Sequence, residues 1–176
     1  MIKYRITKYN PIFRNEKGCY LLKDWTSISD IGKYYNNIQF TLEEYLKTEQ
    51  EYINFYYKIL KKFKINHIKI YSLEKYLTPD EAMQRMQKYN ITFSEQEKNR
   101  YTNLKNKSMI PIDNFDMIFK FAMRELIWCK IATPNKKIII EFGYDYYTYL
   151  SLKNLIIGEN LIKQTASKGI FIEPFI

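Results

Sequence analysis

Between residues 128 and 152, three segments with the residue pattern of β-strands follow one another with only short turns between them. Residues 128–132 lead into the turn Thr133-Pro134-Asn135-Lys136, which is followed by residues 137–143 and 146–152. Such short connections join antiparallel neighbours, because parallel strands need a crossover of a dozen residues or more. This region predicts a two-stranded hairpin continued by a third antiparallel strand. It restricts the chain to folds that contain an antiparallel sheet.

Further strands are predicted where polar and apolar residues alternate with a period of two. The clearest are residues 2–9, 67–71 and 170–173, and a short strand is expected at 38–40. Pro174 restricts the last strand to an edge or an end of the sheet, because proline cannot donate a ladder hydrogen bond. Residues 11–33 are expected to be loop, and residues 72–77 a short helical turn.

Helices are predicted from residues that can cap their first turn. The predicted N-terminal caps are Thr41, Thr78, Ser94 and either Asp113 or Asn114. Thr41 and Ser94 are each followed three residues later by a glutamate, the spacing of a capping box. Thr78 precedes a proline, which favours the first helical position. A last helix is expected over residues 159–167.

Strands that cluster, with helices set to one side, favour an α+β fold over a doubly wound parallel sheet. We expect a single domain, residues 1–176, with a mainly antiparallel sheet of about five to six strands and helices packed to one side. Residues 78–107 contain few large aliphatic side chains and many Gln, Asn, Lys and Glu. They predict a peripheral helical excursion and are the best candidate for mobility or partner contact.

The chain is basic, with 28 Lys and Arg against 19 Asp and Glu. A net charge of +9 suggests nucleic acid. Only five of the basic residues are arginine, however, the side chain that reads guanine and forks onto phosphate. Lys, Ile, Asn and Tyr, all encoded by AT-rich codons, are abundant together, so a biased genome could produce this charge without selection for binding. We therefore do not expect nucleic acid as the partner, and a basic nucleic-acid-binding module is the alternative hypothesis.

The sequence contains few residues that could perform chemistry. His67 is the only histidine, and Cys19 and Cys129 lie far apart. The five glycines are not spaced as a phosphate-binding loop. We predict no catalytic residue, no cofactor, no metal site and no enzymatic activity. A cysteine paired with His67 in space remains open, so a cryptic cysteine-dependent enzyme is the second alternative.

The predicted location is the cytoplasm. The N-terminus alternates polar and apolar residues and lacks the apolar core of a signal peptide. No apolar run approaches the roughly 20 residues of a membrane-spanning helix, so we expect no membrane partner. Two widely separated cysteines do not indicate a disulfide framework.

Two features are not explained by ordinary core or surface patterns. Glu49 lies between Leu46 and Ile53 in the apolar stripe of a helix, so it either reaches water at an edge or meets an Arg or Tyr. Residues 142–149 contain four tyrosines and an aspartate. Some of these rings are expected to pack in the sheet, and the others to serve as rigid interface anchors. The candidate partner-binding residues are Trp25, Asp30, Glu49, Tyr144, Asp145, Tyr146 and Tyr147.

Several segments together resemble a group of small bacterial cytosolic proteins. They are KYRITKYNP at 3–11, DWTSISDIGK at 24–33, TLEEY at 41–45, RELIWC at 124–129 and FGYDYY at 142–147. Some members of this group serve as immunity proteins beside polymorphic toxins of the contact-dependent inhibition kind. The resemblance spans most of the chain and is weakest over residues 78–107.

The resemblance implies a function in which the protein binds a cognate toxin domain, usually a nuclease, and blocks it by stoichiometric occlusion. The resemblance implies no catalytic residue in this chain. Inhibitors of basic nucleases are commonly acidic, whereas this chain has a charge of +9. Either its acidic and aromatic residues are gathered on one face, or its toxin offers an acidic surface.

Overall fold

The structure, a computed structural model, describes residues 1–175 and has an α+β fold. Its strands are β1 (Ile2–Thr7), β2 (Tyr34–Tyr35), β3 (Ile38–Gln39), β4 (His67–Lys75), β5 (Met109–Pro111), β6 (Ile127–Ala132), β7 (Ile138–Phe142), β8 (Thr148–Leu152) and β9 (Phe171–Pro174). Its α-helices are α1 (Leu42–Lys62), α2 (Pro79–Lys88), α3 (Glu95–Asn103), α4 (Phe115–Met123) and α5 (Glu159–Ala166). The predicted fold class is confirmed.

Seven strands form one antiparallel sheet in the order β5-β4-β6-β7-β8-β1-β9, and β2 and β3 form a separate hairpin. The predicted meander is confirmed as β6, β7 and β8, in the middle of the large sheet. The sheet has more strands than the expected five to six. The additional strand is β5, which pairs with the first residues of β4. It has only three residues and ends at a proline, so it carries no alternation that could reveal it.

The predicted helical turn over residues 72–77 is wrong, because β4 continues to Lys75. The register of β4 against β6 shifts between Ile70 and Ser72, which leaves Tyr71 as the extra residue of a bulge. Beyond the bulge the strand pairs with the first half of β6. The bulge interrupts the alternation in the sequence, and the strand signal is lost there although the ladder of hydrogen bonds resumes.

The predicted caps are confirmed for the first three helices. Thr78 and Ser94 form reciprocal capping boxes. Thr41 forms half of the predicted box, since its hydroxyl accepts a hydrogen bond from the backbone N–H of the third helical residue. The start of α4 differs from the prediction. A 3₁₀ turn at Ile112–Asn114 precedes it, and the Asn114 side chain makes no cap. Its Oδ1 accepts instead from Arg100 Nη1 at 2.6 Å, which ties α3 to α4.

The helices cover one face of the sheet. The hydroxyls of Tyr56 in α1 and Thr148 in β8 lie 2.7 Å apart, and the ring of Phe119 in α4 contacts that of Phe142 in β7. The excursion at 78–107 packs outside α4, where the fully buried Tyr101 lies 5.5 Å from the ring of Phe121. The excursion therefore shares the core of the sheet.

The sheet has two ends that differ in composition. One end carries the β7–β8 turn and the first half of α1, since the Tyr45 ring contacts that of Tyr146 and the Tyr52 hydroxyl donates to the Tyr146 carbonyl. We call it the tyrosine end, residues 24–30, 41–52, 124–128 and 142–147. The opposite end carries the end of α1, the β6–β7 turn and the residue after β8. We call it the lysine end, residues 61–71, 105–107, 133–137 and 153.

Candidate partner-binding site

The β7–β8 turn fixes the positions of the three tyrosines predicted to contact a partner, Tyr144, Tyr146 and Tyr147. The Tyr147 N–H donates to the Tyr144 carbonyl at 3.0 Å, and Asp145 and Tyr146 have φ of 55° and 63°. Positive φ at both central positions defines a type I′ turn, which suits the twist of a hairpin. A Cβ at Gly143 would lie 3.0 Å from Tyr149 Cε2 and 3.2 Å from the Tyr147 carbonyl oxygen, so a larger residue here would have to displace the Tyr149 ring or the turn.

Tyr146 turns its ring into the core rather than toward a partner. The ring contacts Trp25 at 4.7 Å and both Tyr45 and Tyr52 at 5.7 Å between centroids. These edge-to-face contacts compensate for the left-handed backbone of Tyr146, which is unfavourable for a bulky residue. Tyr146 is therefore an anchor that holds the turn rigid.

Trp25 and Asp30 are also buried and hold the loop that precedes β2. The Trp25 ring stacks on Phe40 at 4.3 Å. The Asp30 carboxylate accepts hydrogen bonds from the Thr26 N–H at 2.7 Å and from Lys33 Nζ at 2.6 Å. Burial raises the pKa of Asp30, but these hydrogen bonds outweigh it and lower the pKa to about 2. Both side chains are engaged inside the molecule.

Glu49 is buried and paired, which decides between its two predicted environments. Its two carboxylate oxygens accept from Nε and Nη2 of Arg124 at 2.8 and 2.7 Å. Both side chains are almost fully enclosed. The pair connects the middle of α1 to the end of α4, and it offers no surface to a partner.

Three of the seven predicted contact residues therefore reach the surface. Tyr144 is 89% exposed, Asp145 is exposed and Tyr147 is half-buried. Tyr147 already has a partner within the protein, because its hydroxyl accepts a hydrogen bond from Arg14 Nη2 at 3.2 Å. Tyr144 and Asp145 remain the most accessible members of the group. The other four, Trp25, Asp30, Glu49 and Tyr146, were predicted as contacts because patterns in sequence do not separate a core aromatic or an internal ion pair from an exposed one.

A cleft of about 400 Å³ lies beside Tyr144, between this end of the sheet and α2. Tyr76, Trp128 and Phe142 contribute aromatic surface, and Tyr76 is 55% exposed. The Trp128 Nε1–H donates to the Phe142 carbonyl at 2.7 Å, which fixes the indole. The cleft falls within the volume range of ordinary binding pockets. It is suited to receive an apolar or aromatic side chain.

The charges around the cleft are few. Arg85 Nη2 pairs with Glu125 Oε2 at 2.6 Å on its rim, and Asp145 stands opposite as an exposed carboxylate. No lysine lines the cleft among residues 1–175, although lysine is the commonest basic residue of the chain. The rim is therefore neutral to acidic in a basic protein.

Tyr76, Arg85 and Trp128 are members of the cleft that the sequence did not reveal. They come from the loop after β4, from α2 and from β6, so no local spacing connects them. Tyr76 also fell in the incorrectly predicted helical turn. The only available signal was the exposed aromatic position itself, and that signal is not specific.

The structure does not assemble the cysteine–histidine pair left open by the sequence. Cys129 is buried opposite Leu73, six residues along β4 from His67, which corresponds to about 20 Å of strand. Burial raises the pKa of the Cys129 thiol. Cys19 lies near Arg14, whose ion pair with Glu173 of β9 places this loop at the other edge of the sheet. Neither thiol has His67 as a base.

Comparisons with known proteins identify no relative: no family model, curated protein or solved structure matches the chain. Within residues 1–175, His, Cys, Asp and Glu side chains nowhere gather in threes as a metal ion would require. None of the helices in that part of the chain combines the length and the apolar character needed to cross a bilayer.

Proposed function

We propose that this protein is a cytoplasmic immunity protein, which binds a cognate bacterial toxin domain through the cleft at the tyrosine end and neutralises it by stoichiometric occlusion. The observation that carries the proposal is the cleft itself. Exposed aromatic rings of Tyr76 and Tyr144 border an apolar pocket that no lysine lines. Exposed aromatic side chains beside a pocket are typical of protein-binding surfaces.

The charge of the cleft suits a nuclease as the toxin. A nuclease must hold phosphate, so its substrate-binding face is basic. Asp145 and the Arg85–Glu125 pair present a neutral to acidic rim to such a face. The proposal therefore favours the first of the two alternatives raised by the net charge, in which acidic and aromatic residues share one region.

The rigidity of the turn supports the same proposal. The type I′ backbone and the buried ring of Tyr146 hold Tyr144 and Asp145 in one position before any partner arrives. Less conformational entropy is lost on binding when the contact residues are ordered beforehand. The role requires tight binding alone, and the protein makes and breaks no covalent bond in it.

Co-expression with the toxin domain encoded beside this gene tests the proposal. Wild-type protein is expected to restore growth of a bacterial host and to bind the purified toxin domain in a one-to-one complex. Tyr144→Ala is expected to weaken binding about 30-fold, the effect of losing one aromatic anchor. Asp145→Asn is expected to slow association, because it removes the carboxylate that attracts a basic surface.

Tyr34→Ala is the matched control, since Tyr34 is 68% exposed on β2 and does not line the cleft. It is expected to bind the toxin domain like the wild type. Failure of the wild-type protein to bind the toxin domain refutes the function. Equal weakening by Tyr34→Ala and Tyr144→Ala refutes the cleft as the contact site.

A further inference from the structure

The segments of the lysine end contain nine lysines and no acidic residue, and Asp113 borders them, because the Ile112 N–H donates to the Asn66 carbonyl at 2.9 Å. The lysines are Lys61, Lys62, Lys64, Lys69, Lys105, Lys107, Lys136, Lys137 and Lys153. Eight of them are exposed and Lys69 is half-buried. Among residues 1–175 none of the nine forms a salt bridge, whereas 11 of the other 19 basic residues do.

These lysines come from separate parts of the chain and meet through the fold. Lys69 and Lys136 both approach the ring of Tyr71, with Nζ at 5.6 and 4.9 Å from its centroid. The Lys153 N–H donates to the Lys137 carbonyl at 2.8 Å, and the Lys107 N–H donates to the Ile70 carbonyl at 2.8 Å. The strands and turns therefore bring together Lys69, Lys107, Lys136, Lys137 and Lys153, which are distant in sequence.

The whole net charge of the protein is located in this region. Of the 28 basic residues, the nine lysines leave 19, which equals the number of acidic residues. A codon bias can raise the number of lysines, but it acts on every segment alike. It does not explain why segments that are distant in sequence and meet at one end of the sheet carry nine lysines.

Tyr71 adds an aromatic surface to the charge. The bulge in β4 sets Tyr71 outside the regular ladder, and the Nζ atoms of Lys69 and Lys136 both approach its half-buried ring. A ring flanked by cationic side chains can stack on a base while the lysines contact the adjoining phosphates. Lysine contacts phosphate as a point charge and reads no sequence, so such a surface binds without base specificity.

We propose that the lysine end binds single-stranded nucleic acid without sequence preference, through its nine lysines and the ring of Tyr71. The site lies at the opposite end of the sheet from the cleft, so it can be occupied while a protein partner is bound there. A polyanion is the occupant that this charge distribution fits, because each phosphate contact releases condensed counterions. Stacking on Tyr71 favours unpaired bases over a smooth anionic surface.

Fluorescence anisotropy with a labelled oligouridine of about 20 nucleotides tests the proposal, at salt concentrations from about 50 to 300 mM. Wild-type protein is expected to bind at low salt and to lose affinity steeply as salt rises. The triple variant Lys69→Ala, Lys136→Ala, Lys137→Ala is expected to bind at least about 10-fold more weakly at low salt. The slope of the logarithm of the binding constant against the logarithm of the salt concentration is expected to be shallower by about 2. Each of the three lost phosphate contacts on a single strand contributes about 0.7 to that slope.

Two further variants separate local binding from diffuse charge. Lys17→Ala, Lys47→Ala, Lys88→Ala removes three exposed lysines outside the lysine end and is expected to bind like the wild type. Tyr71→Leu keeps an apolar side chain at the bulge and is expected to lose about 10-fold in affinity for the oligonucleotide, with no change in affinity for polyglutamate. Circular dichroism melting curves check that each variant is folded.

Several results would overturn the inference. They are no binding at about 50 mM salt, equal weakening by the two triple variants, and affinity for polyglutamate or anionic lipid vesicles that matches affinity for the oligonucleotide. If Tyr71→Leu bound the oligonucleotide as tightly as the wild type, Tyr71 would not stack on bases, and the proposed preference for unpaired bases would be wrong. None of these outcomes bears on toxin binding at the cleft.

Discussion

The tyrosine end and the lysine end are built from the same abundant residue types, but they use them in opposite ways. Beside the tyrosine end, the Lys8 side chain is buried against Asp24 at 2.7 Å and lies 4.0 Å from the ring of Trp25. At the lysine end, Lys136 is exposed and its Nζ lies 4.9 Å from the centroid of the Tyr71 ring. The same side chain is a structural element in one place and an accessible charge in the other. Composition alone does not distinguish these roles, because the fold assigns them.

This contrast has a measurable consequence. Charge removed from the buried pairs at the tyrosine end should alter the free energy of unfolding, because these charges are paired inside the molecule. Charge removed from the lysine end should alter binding and leave stability nearly unchanged, because water solvates those groups in both the folded and the unfolded chain. Three substitutions examine this difference, in order of decreasing expected effect.

The largest effect is expected for Glu49→Gln. The substitution leaves the buried guanidinium of Arg124 without a counter-charge, and the free energy of unfolding should fall by about 3–5 kcal/mol. Urea unfolding followed by circular dichroism measures it. Lys137→Ala, at the exposed end, is the control and should stay within about 0.5 kcal/mol of the wild type.

The double variant Glu49→Leu, Arg124→Met sharpens the first prediction. It replaces the pair by apolar side chains and should recover most of the stability that Glu49→Gln loses, because a buried ion pair and a well-packed apolar pair are often comparable. If Glu49→Gln unfolds at the same urea concentration as Lys137→Ala, the proposed contrast between the two ends is wrong.

The second effect concerns pH and Lys8. Burial lowers the pKa of Lys8 to about 8, and the hydrogen bond and charge of Asp24 oppose this only in part. Between pH 8 and the ordinary lysine pKa near 10.4, the unfolded chain keeps this proton and the folded chain releases it. The unfolded state then binds more protons, so the Lys8 contribution to stability rises with pH in this window.

Lys8→Met isolates this contribution. Between about pH 7.5 and 9.5, the stability of the wild type should rise by about 2 kcal/mol relative to that of Lys8→Met. Buried Cys129 has a raised pKa and acts in the opposite direction, but equally in both proteins, so it cancels in the difference. Urea unfolding at several pH values gives the comparison. Parallel stability curves for the two proteins would show that Lys8 keeps its proton in the folded state.

The sequence predicted the framework of the fold better than the site. Alternation and turn residues identified the meander of β6, β7 and β8, because a half-exposed strand repeats every two residues. Capping residues located α1, α2 and α3, because their hydrogen bonds are local. The bulge at Tyr71 and the short β5 escaped detection, since both depend on pairing with distant partners.

The candidate site could not be predicted well because the sequence does not show which of its side chains are buried. Glu49 was recognised as unusual from its place in an apolar stripe, but Arg124, its partner, lies 75 residues away. Tyr144 and Tyr146 are two residues apart in one turn, yet the first is exposed and the second is enclosed by three aromatic rings. The left-handed backbone of the turn determines this, and tyrosine gives no sign of it in sequence.

The smallest effect is expected for Lys136→Gly at the lysine end. The Lys136 N–H donates to the Thr133 carbonyl at 2.8 Å, and Lys136 has a φ of 53°, where a type I turn is commonly followed by glycine. Glycine relieves a left-handed strain of about 1 kcal/mol, so the variant should be more stable by up to that amount.

Lys136→Ala separates strain from charge, because it removes the same ammonium group and keeps the side-chain clash. It should match the wild type within about 0.5 kcal/mol, measured by urea unfolding of all three proteins. A gain in both variants would show that repulsion among the nine lysines, rather than backbone strain, limits stability there. Charges would then affect the free energy of unfolding at both ends. Those at the tyrosine end would stabilise the folded protein, and those at the lysine end would destabilise it.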